Sequence, residues 1–195
     1  MTVPPRIYLN CGSLWLSRLP SLSTDPRYQQ PTLLAAEHRL DVFECRSAEQ
    51  TAWLRQHARQ SMAANMARVF VVNQHSQDDV VAYYACCMSS VRAPELPNRW
   101  RRGVGRYSQP VALLARLGVD LRHERRGIGR RLVQDVIARA STLGNEIGCR
   151  GLLIHAESTD AQDFYLRLMP EFEPSPTDDL HLVLLMKDIH KTLTR

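Results

Sequence analysis

The hydrophobic positions in the first half of the chain predict a helix followed by a strand pair. Apolar residues recur every four positions from Leu54 to Met66, which is the spacing of one face of an amphipathic helix. Ser47 and Gln50 have the spacing of a capping box, so we expect this helix to begin after Ser47. Two apolar runs over 68–73 and 80–91 are joined by a short polar turn. These runs predict antiparallel strands.

In the second half, strand-like and helix-like patterns alternate. An apolar run over 111–120 predicts a strand that leads into the sequence RRGIGRRL at 125–132, after which the apolar positions follow a helical period. A strand over 151–156, a short helix that contains Tyr165 and a last strand over 180–186 complete the pattern. This order implies two parallel neighbouring strands with helical crossovers, attached to an antiparallel meander. The predicted fold class is a mixed α/β sheet.

Length and composition predict one globular domain. The chain has 195 residues, of which 44% are hydrophobic, a size that suits a single core. Residues 1–31 contain five prolines and no sustained pattern, so we expect an N-terminal extension, a domain over 32–190 and a tail over 191–195. No apolar run approaches the roughly 18 residues that span a bilayer, and no signal peptide is evident. We expect a cytoplasmic protein that does not associate with membranes.

The five cysteines predict neither a disulfide framework nor a metal site. Their number is odd, and they form no C-x-x-C pair or other spacing typical of metal ligands. We therefore expect reduced thiols and no bound metal. Cys86 and Cys87 fall in mid-strand without a histidine nearby in sequence, which argues against a thiol nucleophile.

The sequence RRGIGRRL places four arginines around two glycines at a strand-to-helix junction. Glycines permit a tight loop whose backbone N–H groups point one way, and the following helix N-terminus adds partial positive charge. Such a loop suits a phosphate-rich anion. From these residues alone, a turn with solvated arginines is the alternative.

Two further groups of arginines are candidates for binding a large polyanion. Residues 92–110 combine arginines with prolines, glycines and a tryptophan, which predicts a long basic loop, and the net charge of the chain is +5. Arg55 and Arg59 lie on a second face of the first helix, where the alternative is simple solvation.

Four segments resemble the GNAT acetyltransferases, and most closely the GNAT toxins of bacterial toxin–antitoxin pairs. They are LARLGVDLRHERRGIGRRL at 114–132, LLIHA at 152–156, DAQDFYLRL at 160–168 and EPSPTDDLHLVLLMKDI at 173–189. The resemblance extends from about residue 32 to residue 189. It implies the GNAT fold, a mixed and mostly antiparallel sheet with a central parallel strand pair splayed around acetyl-CoA and flanked by helices.

The resemblance also implies the site that binds the acetyl donor. Acetyl-CoA would place its pyrophosphate on the loop at 125–130 and its pantetheine arm along the preceding strand. The residues implied in binding are Leu117, Val119, Arg125, Arg126, Gly127, Ile128, Gly129 and Arg130. Glu124 stands where the family has Gln or Arg.

Tyr165 is implied as the general acid that protonates the departing sulfur. From the residues alone, a buried structural tyrosine is the alternative. His123 and His155 are interpreted as structural histidines.

The resemblance to these toxins implies that the acceptor is the amino group of aminoacyl-tRNA, whose acetylation inhibits translation. The residues predicted to contact the RNA are Arg55, Arg59, Arg99, Arg101, Arg102 and Arg106. The toxins resembled imply a ribbon-helix-helix antitoxin that also binds operator DNA, and a homodimer. Two other hypotheses are a GNAT enzyme that acts on a small amine or a protein, and a non-catalytic basic module that binds nucleic acid or a partner.

Overall fold

A single mixed sheet organises the part of the chain that the computed structural model describes, residues 27–101 and 107–193. Its seven strands lie in the order β1-β2-β3-β4-β5-β7-β6. They are β1 Thr32–Leu33, β2 Arg68–Asn73, β3 Val80–Val91, β4 Gln109–Val119, β5 Gly151–His155, β6 Glu173–Ser175 and β7 Asp178–Leu185. In this sheet β4 and β5 are parallel, and the other neighbours pair antiparallel. The predicted mixed α/β class is confirmed.

Helices cover both faces of the sheet. They are α1 Ala48–Gln56, α2 Ala58–Ala63, α3 Asn98–Arg101, α4 Ile128–Glu146, α5 Thr159–Leu168 and α6 Met186–Leu193. The predicted first helix begins as expected, because the Ser47 side chain accepts a hydrogen bond from the Gln50 N–H. It is interrupted at His57, so α1 and α2 are separate, and Met66 is exposed beyond them.

Each face of the sheet has its own core. On one side, which we call the α1 face, α1 and α2 pack through Leu54 and Ala58 against Tyr83 and neighbouring strand residues. On the other side, the α4 face, α4, α5 and α6 bury a larger cluster that includes Leu132 and Tyr165. A third cluster continues the α1 face, where Trp100 of α3 packs against Leu153 and the neighbouring strands.

Part of the segment 92–110, which was predicted as a long basic loop, is helical. A 3-10 helix over Ala93–Glu95 and the short helix α3 lie within it, and Trp100 is fully buried. The large apolar side chain anchors this segment on the sheet because its burial removes a whole indole ring from water.

Packed residues lie on the outer side of both predicted domain bounds. Tyr28 is buried in the α4-face core and bridges to Gln74, so the chain already packs on the sheet before residue 32. At the other end α6 continues to the buried Leu193, so residues 191–193 are part of a helix and not of a tail. No helix in the described ranges is both long and apolar enough to cross a membrane.

A bulge in β4 shapes the centre of the sheet. Across β3, Ala85 pairs with Arg116 and Cys86 pairs with Leu114, so Ala115 is an extra residue in β4. The parallel pairing of β4 with β5 covers only Ala112–Leu114 and ends next to this bulge. Beyond Leu114 β4 makes no further pairs with β5, which itself ends at His155. The last residues of β4 therefore have an unpaired edge on the side of β5, and we call the space along this edge, at the carboxyl ends of the two strands, the cleft.

Candidate active site

The cleft exposes one edge of the last residues of β4. Within the described sheet, residues 116–119 pair with β3 alone, so the edge that faces β5 has free backbone groups. Leu117 and Val119 pack on the α4 face, whereas Gly118 lies against Tyr83 on the α1 face. An extended ligand can pair with such an edge as an added strand would.

The N-terminus of α4 lies at the end of this cleft. Gly127 is the N-cap residue with φ 76°, a left-handed conformation that glycine adopts at little cost, and no described side chain caps the helix. A Cβ at Gly129 would lie 3.7 Å from the Val119 side chain, which places the first turn beside the end of β4. The uncapped N–H groups and the helix dipole together form a site that suits a phosphate group.

Asp120 fixes the loop between β4 and α4. Its fully buried carboxylate accepts hydrogen bonds from the Glu44 N–H at 3.0 Å, the Arg122 N–H at 2.9 Å and the Arg122 guanidinium at 2.8 Å. Burial pushes the pKa of Asp120 upward, but these hydrogen bonds outweigh it, so the pKa lies below its ordinary value. Asp120 is therefore a charged anchor for the loop.

The loop arginines differ in their availability. The Arg126 guanidinium donates to the Tyr28 hydroxyl at 2.9 Å, and the same hydroxyl lies 2.9 Å from Nδ1 of His123. Burial lowers the pKa of His123, which favours the neutral ring. Arg125 and Arg130 are exposed and have no ion-pair partner within the described residues. These two side chains are free to meet an anion.

Glu124, which departs from the family pattern, forms an ion pair with an arginine. The Arg46 guanidinium, which lies just before α1, binds the Glu124 carboxylate through two hydrogen bonds of 2.7 and 2.8 Å. This pairing lowers the pKa of Glu124. The negative charge next to the anion site is thus compensated by an arginine from elsewhere in the chain.

Tyr165 lies on the buried face of α5, the helix that follows β5. Its ring makes edge contacts with Phe164 and Phe172 at centroid distances of 5.3 and 6.4 Å. Burial raises its pKa, so the hydroxyl stays protonated at neutral pH. No described residue forms a hydrogen bond with this hydroxyl. A protonated and unengaged phenol is what a general acid requires.

His155, which the sequence suggested was a structural core residue, is exposed. It ends β5 on the α1 face and pairs across the sheet with His181 of β7, and the two imidazoles stack at 3.8 Å with an interplanar angle of 17°. Both line a cavity of about 330 Å³ whose floor includes Leu153 and Val183. No local sequence signal marks this pair, because it depends on the register between β5 and β7.

The two mid-strand cysteines are not activated. Burial raises the pKa of the Cys86 thiol to about 12 and also raises the pKa of Cys87. Neither thiol is therefore ionised near neutral pH, in agreement with the prediction that they are not nucleophiles. Among residues 27–101 and 107–193, no three His, Cys, Asp or Glu side chains come together as a group that could hold a metal ion.

Of the six arginines predicted to bind RNA, four are described. Arg59 donates to the carbonyls of Ala35 and His38, Arg99 forms ion pairs with Glu173 and Asp188 at 2.6 Å, and Arg101 donates to the carbonyls of Leu96 and Pro94. Arg55 is exposed and has no partner in the described ranges. Arg102 and Arg106 lie outside the described residues. Of the four described arginines, Arg55 is therefore the one whose side chain has no partner among the described residues.

The fold and the cleft are those of an acetyltransferase. Residues 36–169 match the Acetyltransferase (GNAT) family. A tRNA-acetylating toxin of Mycobacterium tuberculosis is 35% identical over 161 residues, which are 83% of this chain and 94% of the toxin. The chain belongs to the GNAT acetyltransferase family, as its sequence predicted.

Two solved structures share the fold. AtaT complexed with acetyl-methionyl-tRNAfMet superposes with a TM-score of 0.77 at 21% identity and covers 84% of this chain and 98% of AtaT. A Tyr-to-Phe mutant of AtaT, bound to the C-terminus of the antitoxin AtaR and acetyl-CoA, has a TM-score of 0.72 at 20% identity. That match covers 86% of this chain and 99% of the AtaT chain.

Proposed function

We propose that this chain is a toxin that transfers an acetyl group from acetyl-CoA to the amino group of aminoacyl-tRNA and so inhibits translation. The observation that carries the proposal is the 35% identity to a tRNA-acetylating toxin along 94% of that protein. The cleft between β4 and β5, with an uncapped helix N-terminus at its end, agrees with it.

The residues of the cleft fit the acetyl donor. The N–H groups from Gly127 to Arg130 would hold the pyrophosphate, and Arg125 would add positive charge. The open edge at Leu117 and Val119 would pair with the pantetheine arm. When bound, acetyl-CoA supplies the acetyl group as a thioester.

The protein's part in the transfer is to orient the two substrates and to move protons. As the amine nitrogen bonds to the carbonyl carbon, the carbon–sulfur bond breaks and the sulfur needs a proton. Tyr165 would donate this proton from its hydroxyl, which its raised pKa keeps protonated. The amine must lose a proton, and because α-amino groups have a pKa near 8, water can accept it.

Partners follow from the same proposal. A cognate antitoxin of the ribbon-helix-helix class, which also binds operator DNA, would neutralise the enzyme, and the enzyme itself would form a homodimer. Both rest on the resemblance to toxin–antitoxin pairs, and the antitoxin is further supported by the AtaT complex with the C-terminus of AtaR. The alternative is a GNAT enzyme that acts on a small amine or a protein, which the same cleft would serve.

Transfer of acetyl from labelled acetyl-CoA distinguishes acetylation of aminoacyl-tRNA from acetylation of a small amine. The purified chain is incubated with labelled acetyl-CoA and either a fully charged tRNA pool or the same pool after deacylation. We expect label only on the charged pool, as N-acetyl-aminoacyl-tRNA. Absence of label on every charged tRNA, with turnover of small amines by the same preparation, would contradict the proposal.

A further inference from the structure

The cavity beside His155 and His181 borders the reaction cleft from the α1 face. The last parallel pair of β4 and β5 is Leu114 with Ile154, and His155 follows directly. Ile154 belongs to the α4-face core, whereas Leu153 belongs to the core of the α1 face, so the His155 side chain points to the α1 face. The proposed donor site uses the α4 end of the cleft, which leaves this cavity on the opposite side for an acceptor.

The lining suits an uncharged polar ligand. Its polar groups are hydroxyls such as Ser89 and Thr177, the two imidazoles, and the carboxylates of Glu95 and Asp178. No arginine or lysine of the described chain lines it. A phosphate would therefore meet carboxylates without a cation, whereas ribose hydroxyls and a base amino group would find hydrogen-bond acceptors.

The stacked imidazoles add a flat surface to this polar lining. Histidine is one of the side chains on which unpaired RNA bases stack, because a planar ring offers a large contact area without a fixed hydrogen-bond pattern. Burial, and then the neighbouring ring of His181, lowers the pKa of His155, which favours the neutral form of that ring. A neutral His155 does not repel the ring of His181, which agrees with their stacking at 3.8 Å.

From this arrangement we infer that the cavity lined by His155 and His181 binds the 3′-terminal nucleoside of the acceptor RNA. The base stacks on the imidazole pair, and the ribose, which carries the aminoacyl ester, faces the cleft between β4 and β5. The inference rests on the proposed function, because it names the part of aminoacyl-tRNA that this face of the sheet recognises.

The test compares two RNAs on the full-length protein. One is a deacylated tRNA that ends in CCA, and the other is the same tRNA trimmed to end in CC. Loss of one stacked base should weaken binding to the wild type by about tenfold, which lies within the range for removal of one base stacked on an aromatic side chain. His181→Ala and His155→Ala should bind both RNAs about equally, while acetyl-CoA affinity stays unchanged.

Two variants separate stacking from a loss of structure. His181→Phe keeps a flat ring and should retain the preference for CCA, whereas an imidazole needed for proton transfer would not be replaced by phenyl. His75→Ala, at an exposed histidine in the turn between β2 and β3, is the matched control and should bind as the wild type does.

The results that would overturn the nucleoside site can be distinguished from those that would overturn the proposed function. A preference for CCA that survives in both alanine variants, or a wild type that does not distinguish the two RNAs, overturns the nucleoside site even if charged tRNA is acetylated. A wild type that binds neither RNA and acetylates no charged tRNA overturns this inference and the proposed function together.

Discussion

Arg46 neutralises the negative charge of Glu124, although the two residues are distant in sequence. Arg46→Ala removes the only ion-pair partner of Glu124 among the described residues and leaves a carboxylate beside the anion site. We expect acetyl-CoA affinity to fall about two- to fivefold, the scale of an exposed ion pair. Adding Glu124→Gln to Arg46→Ala should restore the affinity, as measured by calorimetry. If the double variant binds as weakly as Arg46→Ala, the carboxylate is not the cause.

Asp120 gives a prediction about stability and pH. Its pKa is lower in the folded protein than in the unfolded chain, so its contribution is fully present above the unfolded pKa of about 3.9 and is lost as pH falls through the folded value. Asp120→Asn should lower the free energy of unfolding at pH 7 by about 1–3 kcal/mol, because buried hydrogen bonds to charged groups are lost. The difference from the wild type, measured by denaturant unfolding, should shrink below pH 4. A difference that is constant from pH 7 to pH 3 would contradict an ionised Asp120.

At the scale of elements, the two glycines at the junction of β4 and α4 should respond differently to substitution by alanine. Gly127 has positive φ and open space where a Cβ would lie, so Gly127→Ala is opposed by backbone strain alone, about 1–2 kcal/mol. Gly129 is helical and a Cβ there would make ordinary contacts, so Gly129→Ala should fold as well as the wild type. Thermal unfolding distinguishes the two, and equal melting temperatures would contradict the assigned strain.

Acetyl-CoA affinity of the same two variants tests the site itself. If the first turn of α4 holds the pyrophosphate through its backbone, a methyl group at Gly129 reduces access to the N–H groups and weakens binding without loss of stability. Unchanged affinity in the folded Gly129→Ala variant would show that the ligand does not approach this backbone closely.

Several elements were predictable because their signals are local. The Ser47 cap, the hairpin of β2 and β3, and the order β4, glycine loop, α4, β5 each follow from spacing within a few residues. The bulge at Ala115 was not predictable, because no residue from 111 to 119 marks it locally and only the pairing with β3 reveals the extra residue. The helix α3 was not predicted because the burial of Trp100 against the sheet is a tertiary contact, and no local signal marks the break at His57.

For the whole molecule, the number of arginines in the sequence overestimates how many are available to bind RNA, because some form ion pairs within the protein. Arg99 ties α3 to β6 and α6 through two ion pairs, whereas Arg55 is free among the described residues. We expect Arg55→Ala to weaken tRNA binding and to reduce the slope of log affinity against log salt by about one unit. Arg99→Ala should instead lower the melting temperature and leave the salt slope unchanged. The reverse pattern would assign the RNA contact to Arg99.

The two faces of the sheet divide the proposed reaction between them, with the acetyl donor at the α4 end of the cleft and the acceptor on the α1 face. The sequence predicted the donor side, since its glycines and arginines are contiguous. The acceptor side needs His155 and His181, which are distant in sequence and meet only through strand pairing. The donor side could therefore be predicted from adjacent residues, whereas the acceptor side depends on the pairing register of β5 and β7, which the sequence does not reveal.

The most direct test of the central claim is acetylation of purified aminoacyl-tRNA by the wild type and by Tyr165→Phe at saturating acetyl-CoA. Phe keeps the buried ring and its contacts with Phe164 and Phe172 and removes only the hydroxyl. The wild type should acetylate charged tRNA, and the variant should bind acetyl-CoA normally but react roughly 10²- to 10⁴-fold more slowly, the usual contribution of a general acid. A variant that reacts as fast as the wild type would contradict the role of Tyr165, and a wild type inactive on all charged tRNA would contradict the proposed function.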